Sequence, residues 1–220
     1  MLRYYRSPKK RKNMFRLDNI LEDWASAYRP LSNQKQRDAK HRTFFRISMI
    51  DGNSEFVRNF TTTPSPAMAY ATHIDAELAQ QNPKAITYRH VIYFMVKQAE
   101  GGRSKTIATD EDAATEARFE TDEMVQDLLA VLKAIKGIAG GKTLPATVLN
   151  GLPVEIKDFI QQTADNPEYA QGLRGLQLDG ARWGTLPVYL NGWQVCGLTI
   201  EQISPRLLCI NPEKYIQDNS

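Results

Sequence analysis

The stretch Ala85–Lys97, AITYRHVIYFMVK, decides the fold. Ile86, Tyr88, His90, Ile92, Phe94 and Val96 alternate with Thr87, Arg89, Val91, Tyr93, Met95 and Lys97, the period of two that sends successive side chains to opposite faces of a strand. At about 3.3 Å per residue such a strand runs roughly 40 Å. It needs a cover of similar length, and the chain supplies one downstream. Asp110 to Lys136 reads as a single helix, opened by Thr109 and an acidic first turn and closed by Lys133, Lys136 and Gly137. At about 1.5 Å per residue it also covers roughly 40 Å. Phe119, Val125, Leu128, Leu129, Leu132 and Ile135 form its expected buried edge.

The flanking segments fit round this pair. Leu17, Ile20, Leu21, Trp24 and Tyr28 place one apolar stripe on a helix that Pro30 stops. Residues 31–42 are polar and without period, a loop or mobile basic segment. Thr43–Ile50 and Glu55–Thr62 flank Asp51-Gly52-Asn53-Ser54 and read as a hairpin, with Phe45, Ile47 and Met49 on one face. Ser65-Pro66 resembles a helix start, and Ala67, Tyr70, Ala71, Ile74 and Leu78 continue at helical spacing, predicting a helix from Pro66 to Gln80. Ala139–Leu152 reads as a connector and Pro153–Thr163 as a short helix. Leu173–Leu178 and Ala181–Leu190 read as strands, Asn191-Gly192 as a hairpin turn into a strand Trp193–Gln202, and Arg206–Ile210 as a short edge.

Hairpins grouped together, with helices between the groups, argue for an α+β fold: a mostly antiparallel sheet built from hairpins and covered on one face by helices. The expected organisation is a basic N-terminal arm over 1–16, a single α+β domain over 17–210 with a helical connector or insertion near 139–179, and a tail over 211–220.

The chain has 220 residues, of which 42% are hydrophobic and 24% charged, the composition of an ordinary globular protein. Its longest unbroken apolar run, Val91 to Val96, falls far short of the roughly 20 residues that span a bilayer, so no membrane segment is expected. Basic residues near the start are not followed by an apolar stretch, and export by a signal peptide is not expected. Cys196 and Cys209 are too few for a disulfide framework; a reducing compartment is the simpler reading, with one bridge between neighbouring strands left open.

Charge is strongly segregated. Through Arg46 the chain carries 13 Lys or Arg against 4 Asp or Glu, a balance of +9; the remainder carries 15 against 21, a balance of −6, and together they give the net +3. Arg3, Arg6, Lys9, Lys10, Arg11 and Lys12 interleave with Tyr4, Tyr5 and Phe15, a mixture that can neutralise phosphates while stacking on bases, grip a protein partner, or stand as a solvated arm. RSPKKRK also resembles a nuclear-localisation signal. From Asp110 to Asp127 there are eight acidic residues, among them Asp110, Glu111, Asp112, Glu116, Glu120, Asp122 and Glu123, against one basic residue, Arg118. Part of this complements the helix dipole. A +9 and a −7 segment could also meet between copies, head to tail, in an interface that closes into a ring or continues as a tube.

Most enzymatic signatures fail on spacing or context. Gly137-Ile-Ala-Gly-Gly141-Lys142 has three residues where a phosphate-binding loop needs four, and it follows a helix, so it reads as a helix cap. Glu155-Ile156-Lys157 has the spacing of a metal-dependent nuclease, but Pro153 starts a helix there, and helical positions two apart diverge. His41, His73 and His90 lack metal-ligand spacing, and His90 reads as a hydrogen-bonded core histidine. No cofactor and no catalytic residue is expected. Asn59-Phe60-Thr61 matches a glycosylation acceptor but reads as strand sequence.

The order of an apolar helix (LDNILEDWASAY), a hairpin (TFFRISMIDGNSEFVRNF), a helix, a long strand (ITYRHVIYFMV) and late strands around NGWQVCGLTI resembles the compact α+β proteins that complete phage necks and tails, especially the tail-terminator type. The resemblance covers about residues 17–203 as an order of elements, with Ala139 to Asp179 as an insertion, and no catalytic or ligand motif anchors it. It implies a non-enzymatic virion protein, assembled in the host cytoplasm as a homo-oligomeric ring that contacts tail-tube or neck proteins. The alternatives are a nucleic-acid-binding accessory protein using residues 3–12 and a metal-dependent nuclease using Glu155 and Lys157.

Overall fold

The computed structural model describes residues 16–31, 42–47, 63–72, 75–78, 85–97, 110–143, 151–185 and 193–205. They form helix α1 (Leu17–Ala27), strands β1 (Phe44–Ile47), β2 (Ala67–Ala71), β3 (Asp75–Leu78) and β4 (Ala85–Lys97), helices α2 (Asp110–Ala139), α3 (Val154–Asp165) and α4 (Pro167–Gly175), and strands β5 (Leu176–Thr185) and β6 (Trp193–Pro205). The strands make one sheet in the order β1-β2-β4-β6-β5, with β3 also on β4. All pairs are antiparallel except β1 with β2. This is the expected α+β class.

Strand β4 spans the expected residues and pairs with β6 along its whole length, Ala85 opposite Pro205 and Lys97 opposite Trp193. The period of two sorts its side chains as the sequence requires. Ile92, Phe94 and Val96 join Met68, Cys196, Leu198 and Ile200 under the helices. Met95 joins Phe45, Ala67, Ala69, Trp193 and Val195 in a smaller cluster on the opposite face, with Ile47 and Tyr93 packed against it. Lys97 lies over the Trp193 ring, 5.1 Å from its centroid. Further along that face the cover is polar: Arg89 bridges Glu77 at 3.7 Å and Glu201 at 3.6 Å across three strands.

The helix expected over Pro66–Gln80 is two strands instead. Ala67–Tyr70 pair with Ile92–Met95, and Asp75–Leu78 with Ile86–Arg89, so β2 and β3 lie in line along one edge of β4. Alanines fit a period of 3.6 and a period of 2 equally well, and every β2 residue is buried. The Ser65 hydroxyl does not cap a helix; it accepts from the Lys97 amide at 2.9 Å, and the Ser65-Pro66 bond is cis. The hairpin expected through Asp51-Gly52 lies outside the described residues beyond Ile47, as do the turn at Asn191-Gly192 and the edge Arg206–Ile210. The described partner of β1 is β2, in parallel.

The two strands expected at Leu173–Leu178 and Ala181–Leu190 are, among the described residues, the single strand β5, whose register on β6 shifts between Gln177 and Arg182. Leu173 belongs instead to α4, a helix where the sequence pattern predicts connector and strand. Its start is written in Asn166-Pro167: the Asn166 side chain accepts from the Glu168 amide at 2.9 Å, and proline follows at the first helical position.

Helix α2 continues past Gly137 to Ala139 and ends in a Schellman motif. Lys142 N–H bonds Gly137 O at 2.9 Å and Gly141 N–H bonds Ile138 O at 2.8 Å, with Gly141 at φ 82°. The phosphate-loop-like segment is thus a helix terminus. Arg174 of α4 donates to the last α2 carbonyl, Ala139 O, at 3.2 Å, a cation on the negative end of the dipole.

Helix α1 buries Leu17, Ile20, Leu21 and Trp24 on the same side of the sheet as α2. Trp24 stacks on Tyr28 with centroids 4.6 Å apart and meets Phe94 edge-on at 6.4 Å. Its truncation to Ala would cost about 3–5 kcal/mol. Helix α3 packs against α1 and α2, completing a helical layer on one face.

Candidate interaction surface

Helix α2 has two unlike sides. Ala117, Thr121, Met124, Val125, Leu128, Leu132 and Ile135 are buried, spaced three or four apart on one stripe. Phe119 is two residues from both Ala117 and Thr121, roughly 200° round the helix, and is 69% exposed. This corrects the expectation that Phe119 belongs to the buried edge: its angle round the helix sets it apart from the stripe that packs on the sheet.

The expected acidic surface is arranged round that ring. Glu116, Asp122 and Glu123 stand at the positions three before, three after and four after Phe119, its nearest neighbours on a helix. Glu116 and Glu123 are exposed, while Asp122 and Glu120 are half-buried. Asp110, Glu111 and Asp112 open α2 by their backbone positions; their side chains lie outside the described residues, as do Arg3, Arg6, Lys9, Lys10, Arg11 and Lys12. Among the described residues, Glu116, Glu120, Asp122 and Glu123 make no ion pair.

Their mutual field is visible in their neighbours. Burial, then the charges of Glu116 and Glu123, push the Glu120 carboxyl above its ordinary value. Tyr28 donates to Oδ2 of Asp127 at 2.7 Å, tying the end of α1 to α2. Burial first, then this bond and the charges of Asp127, Glu123 and Glu120, push the Tyr28 phenol up. On the sheet side, burial foremost and the charge of Asp122 second raise the Cys196 thiol to about 11, so this buried cysteine is a packed thiol rather than a nucleophile. Cys209 lies outside the described residues.

A second acidic surface was not legible in the sequence. Asp23 of α1 and Glu155 and Asp158 of α3 line an open groove of about 500 Å³ with Phe159, Asn166 and Tyr169. Burial and the neighbouring Glu22 raise the Asp23 carboxyl. The groove joins residues more than 130 positions apart, so only tertiary packing assembles it. Lys157, two residues from Glu155, is not among its lining residues.

The remaining polar chemistry is internal. His90 is 3% exposed and hydrogen-bonded through both ring nitrogens, to Tyr70 and to Gln202, each at 2.9 Å. This is the core histidine expected from the strand. Asp18, 6% exposed, receives Arg16 at 2.6 Å and Arg46 at 2.8 Å, and Arg46 also reaches Glu22 at 2.7 Å, locking β1 to α1. His41 and His73 lie outside the described residues. Among the described residues there is no group of three or more potential metal ligands and no helix long and apolar enough to cross a membrane.

Comparisons with protein-family models, with curated proteins and with solved structures find no match to this chain.

Proposed function

We propose that this chain is a non-enzymatic assembly protein whose copies join head to tail into a ring, in the manner of the phage neck and tail proteins its order of elements resembles. The observation that carries this reading is the outer side of α2: carboxylates crowded round an exposed aromatic ring, unpaired among the described residues, in a chain whose first 46 residues carry +9. Crowded like charges oppose folding, so a surface that keeps them is suited to meeting an opposite charge elsewhere. Two unlike patches on one chain make a heterologous interface, which closes into a ring when its rotation allows. Tail-tube or neck proteins would then meet the faces of the ring, within a virion.

Light scattering over a range of protein and salt concentrations tests the reading. Oligomers of defined size at about 0.15 M salt, dissociating as salt shortens the screening length from about 8 Å, are the expected result. A monomer throughout would overturn it.

The interleaved Tyr4, Tyr5 and Phe15 among basic residues favour a second reading, a nucleic-acid-binding accessory protein. Its signature is DNA or RNA affinity that falls steeply with salt, by a slope near 0.9 per neutralised duplex phosphate.

A further inference from the structure

Charge alone does not account for Phe119. It is the most exposed of the large apolar side chains among the described residues, and it sits at the centre of the acidic surface rather than at its margin. The face of an aromatic ring attracts a guanidinium or ammonium, and flanking carboxylates accept its hydrogen bonds. Glu116, Asp122 and Glu123 are placed to do so on three sides. The segment of this sequence with matching chemistry is residues 3–12, where Arg3 and Arg6 bracket Tyr4 and Tyr5 and Lys9, Lys10, Arg11 and Lys12 follow.

We infer that Phe119, with Glu116, Asp122 and Glu123, is the receptor for residues 3–12 of a second copy of this chain. The inference deepens the proposed head-to-tail assembly and rests on it. A second copy fits better than the same chain for a geometric reason. Helix α1 runs from Asp18, whose charge acts on His90, to Trp24 at Phe94, and α2 runs the other way, its Lys136 donating to Leu176 O beside Gln202 and Tyr88. Arg16 therefore stands at the end of α1 opposite Tyr28, and Phe119, eight residues before the Tyr28-bonded Asp127, lies past Tyr28 at the far end. Lys12 is four residues from Arg16, a reach of at most about 14 Å, so the same chain's arm would have to turn back along the helical layer. A neighbouring copy presents the whole segment directly.

The test uses full-length chains. Phe119→Ala removes the ring from an exposed position, so its melting temperature should match the wild type. Its self-association measured by sedimentation should weaken about tenfold at 0.15 M salt, with the salt slope unchanged. Glu116→Gln with Glu123→Gln should instead flatten the salt slope. Two further variants separate the halves of the contact: an arm variant (Lys9→Glu, Lys10→Glu, Arg11→Glu and Lys12→Glu) and a receptor variant neutralised rather than reversed (Glu116→Gln, Phe119→Ala and Glu123→Gln), so that the acidic arm finds no basic receptor. Each alone should be monomeric, and their mixture should form a one-to-one pair and stop there. If wild type assembles but Phe119→Ala assembles equally well, or the mixture stays monomeric, this receptor is wrong and the assembly reading survives. If wild type itself never assembles, both fall.

Discussion

Nε2 of His90 lies 2.9 Å from Oε1 of Gln202, across the paired strands β4 and β6. An amide oxygen only accepts, so Nε2 carries the proton, and Nδ1 is left to accept the Tyr70 hydroxyl at 2.9 Å. The ring is thereby satisfied as a neutral imidazole. Burial pushes its pKa below 6.5, and the Gln202 bond and the charge of Asp18 only partly offset that. The groups facing it are Tyr70 from β2, Gln202 from β6 and, electrostatically, Asp18 from α1.

The unfolded chain therefore takes up a proton near pH 6.5 that the folded chain resists. Stability from this site is full above pH 6.5 and declines as pH falls towards the folded value. Urea midpoints should be level between pH 8 and 7 and drop below 6.5, and His90→Gln should flatten that drop while lowering the midpoint overall. Parallel pH profiles for the two proteins would contradict the assignment.

Asp18 governs a lower window. Burial by itself would raise its carboxyl, but the hydrogen bonds and charges of Arg16 and Arg46 outweigh burial and hold it at about 2, against an ordinary 3.8. A depressed carboxyl stabilises the fold above the unfolded value and loses that contribution as pH falls through the folded one, here between about 4 and 2. With Arg16 largely exposed, screening reduces the contribution to about 1 kcal/mol. Asp18→Asn should remove this acid step, and Arg46→Met should shrink it. An acid titration of the circular dichroism signal, with the midpoints of the three proteins compared, decides it.

The long strand at the centre of the sheet was legible because one face is buried under the helices while the other is only partly covered, so its residues alternate: Ala85–Lys97 matches the expected strand to the residue. The long helix was legible from its caps and charge, to within one turn. What misled was ambiguity of period. Ala67, Ala69 and Ala71 carry too little side chain to favour 3.6 over 2, and the neighbouring β4, invisible to local reading, made that choice. Phe119 escaped a local reading for a related reason: its hydrophobicity points inward but its helical angle, two residues from both Ala117 and Thr121, points outward. The acidic surface was legible as a run of charge; the ring at its centre needed the helix to be oriented by packing on Cys196, Leu198 and Phe94. The groove between α1 and α3 had no sequence signal at all.

Gly175 closes α4 where it passes β6. A Cβ built there would stand 2.2 Å from the carbonyl oxygen of Ile203, a backbone atom that cannot swing aside. Helix propensity favours alanine over glycine by about 1 kcal/mol, but overpacking against backbone costs about 1–3 kcal/mol. The clash should win. Gly175→Ala is expected to lower the melting temperature by about 2–6 °C, whereas Gly184→Ala, with nothing within 4 Å of its added Cβ, should leave it almost unchanged. Equal melting temperatures for both variants would remove the close approach as the reason for glycine at 175.

Glu120 separates stability from assembly. Its carboxyl is raised by burial and by Glu116 and Glu123, so at neutral pH the folded state holds a charge it disfavours. A raised acid is relieved as pH falls, the opposite sign to Asp18. Glu120→Gln should therefore stabilise the folded chain at pH 7 by a few tenths of a kcal/mol, the size of a relieved like-charge pair on a helix, with the gain shrinking below pH 5. If the acidic side of α2 serves assembly, the same variant should weaken self-association at low salt. Chemical denaturation and sedimentation on one preparation give both numbers. A variant that becomes more stable and assembles undiminished would make the carboxylates incidental to the interface; a variant that loses stability would show that Glu120 has a partner in the folded state.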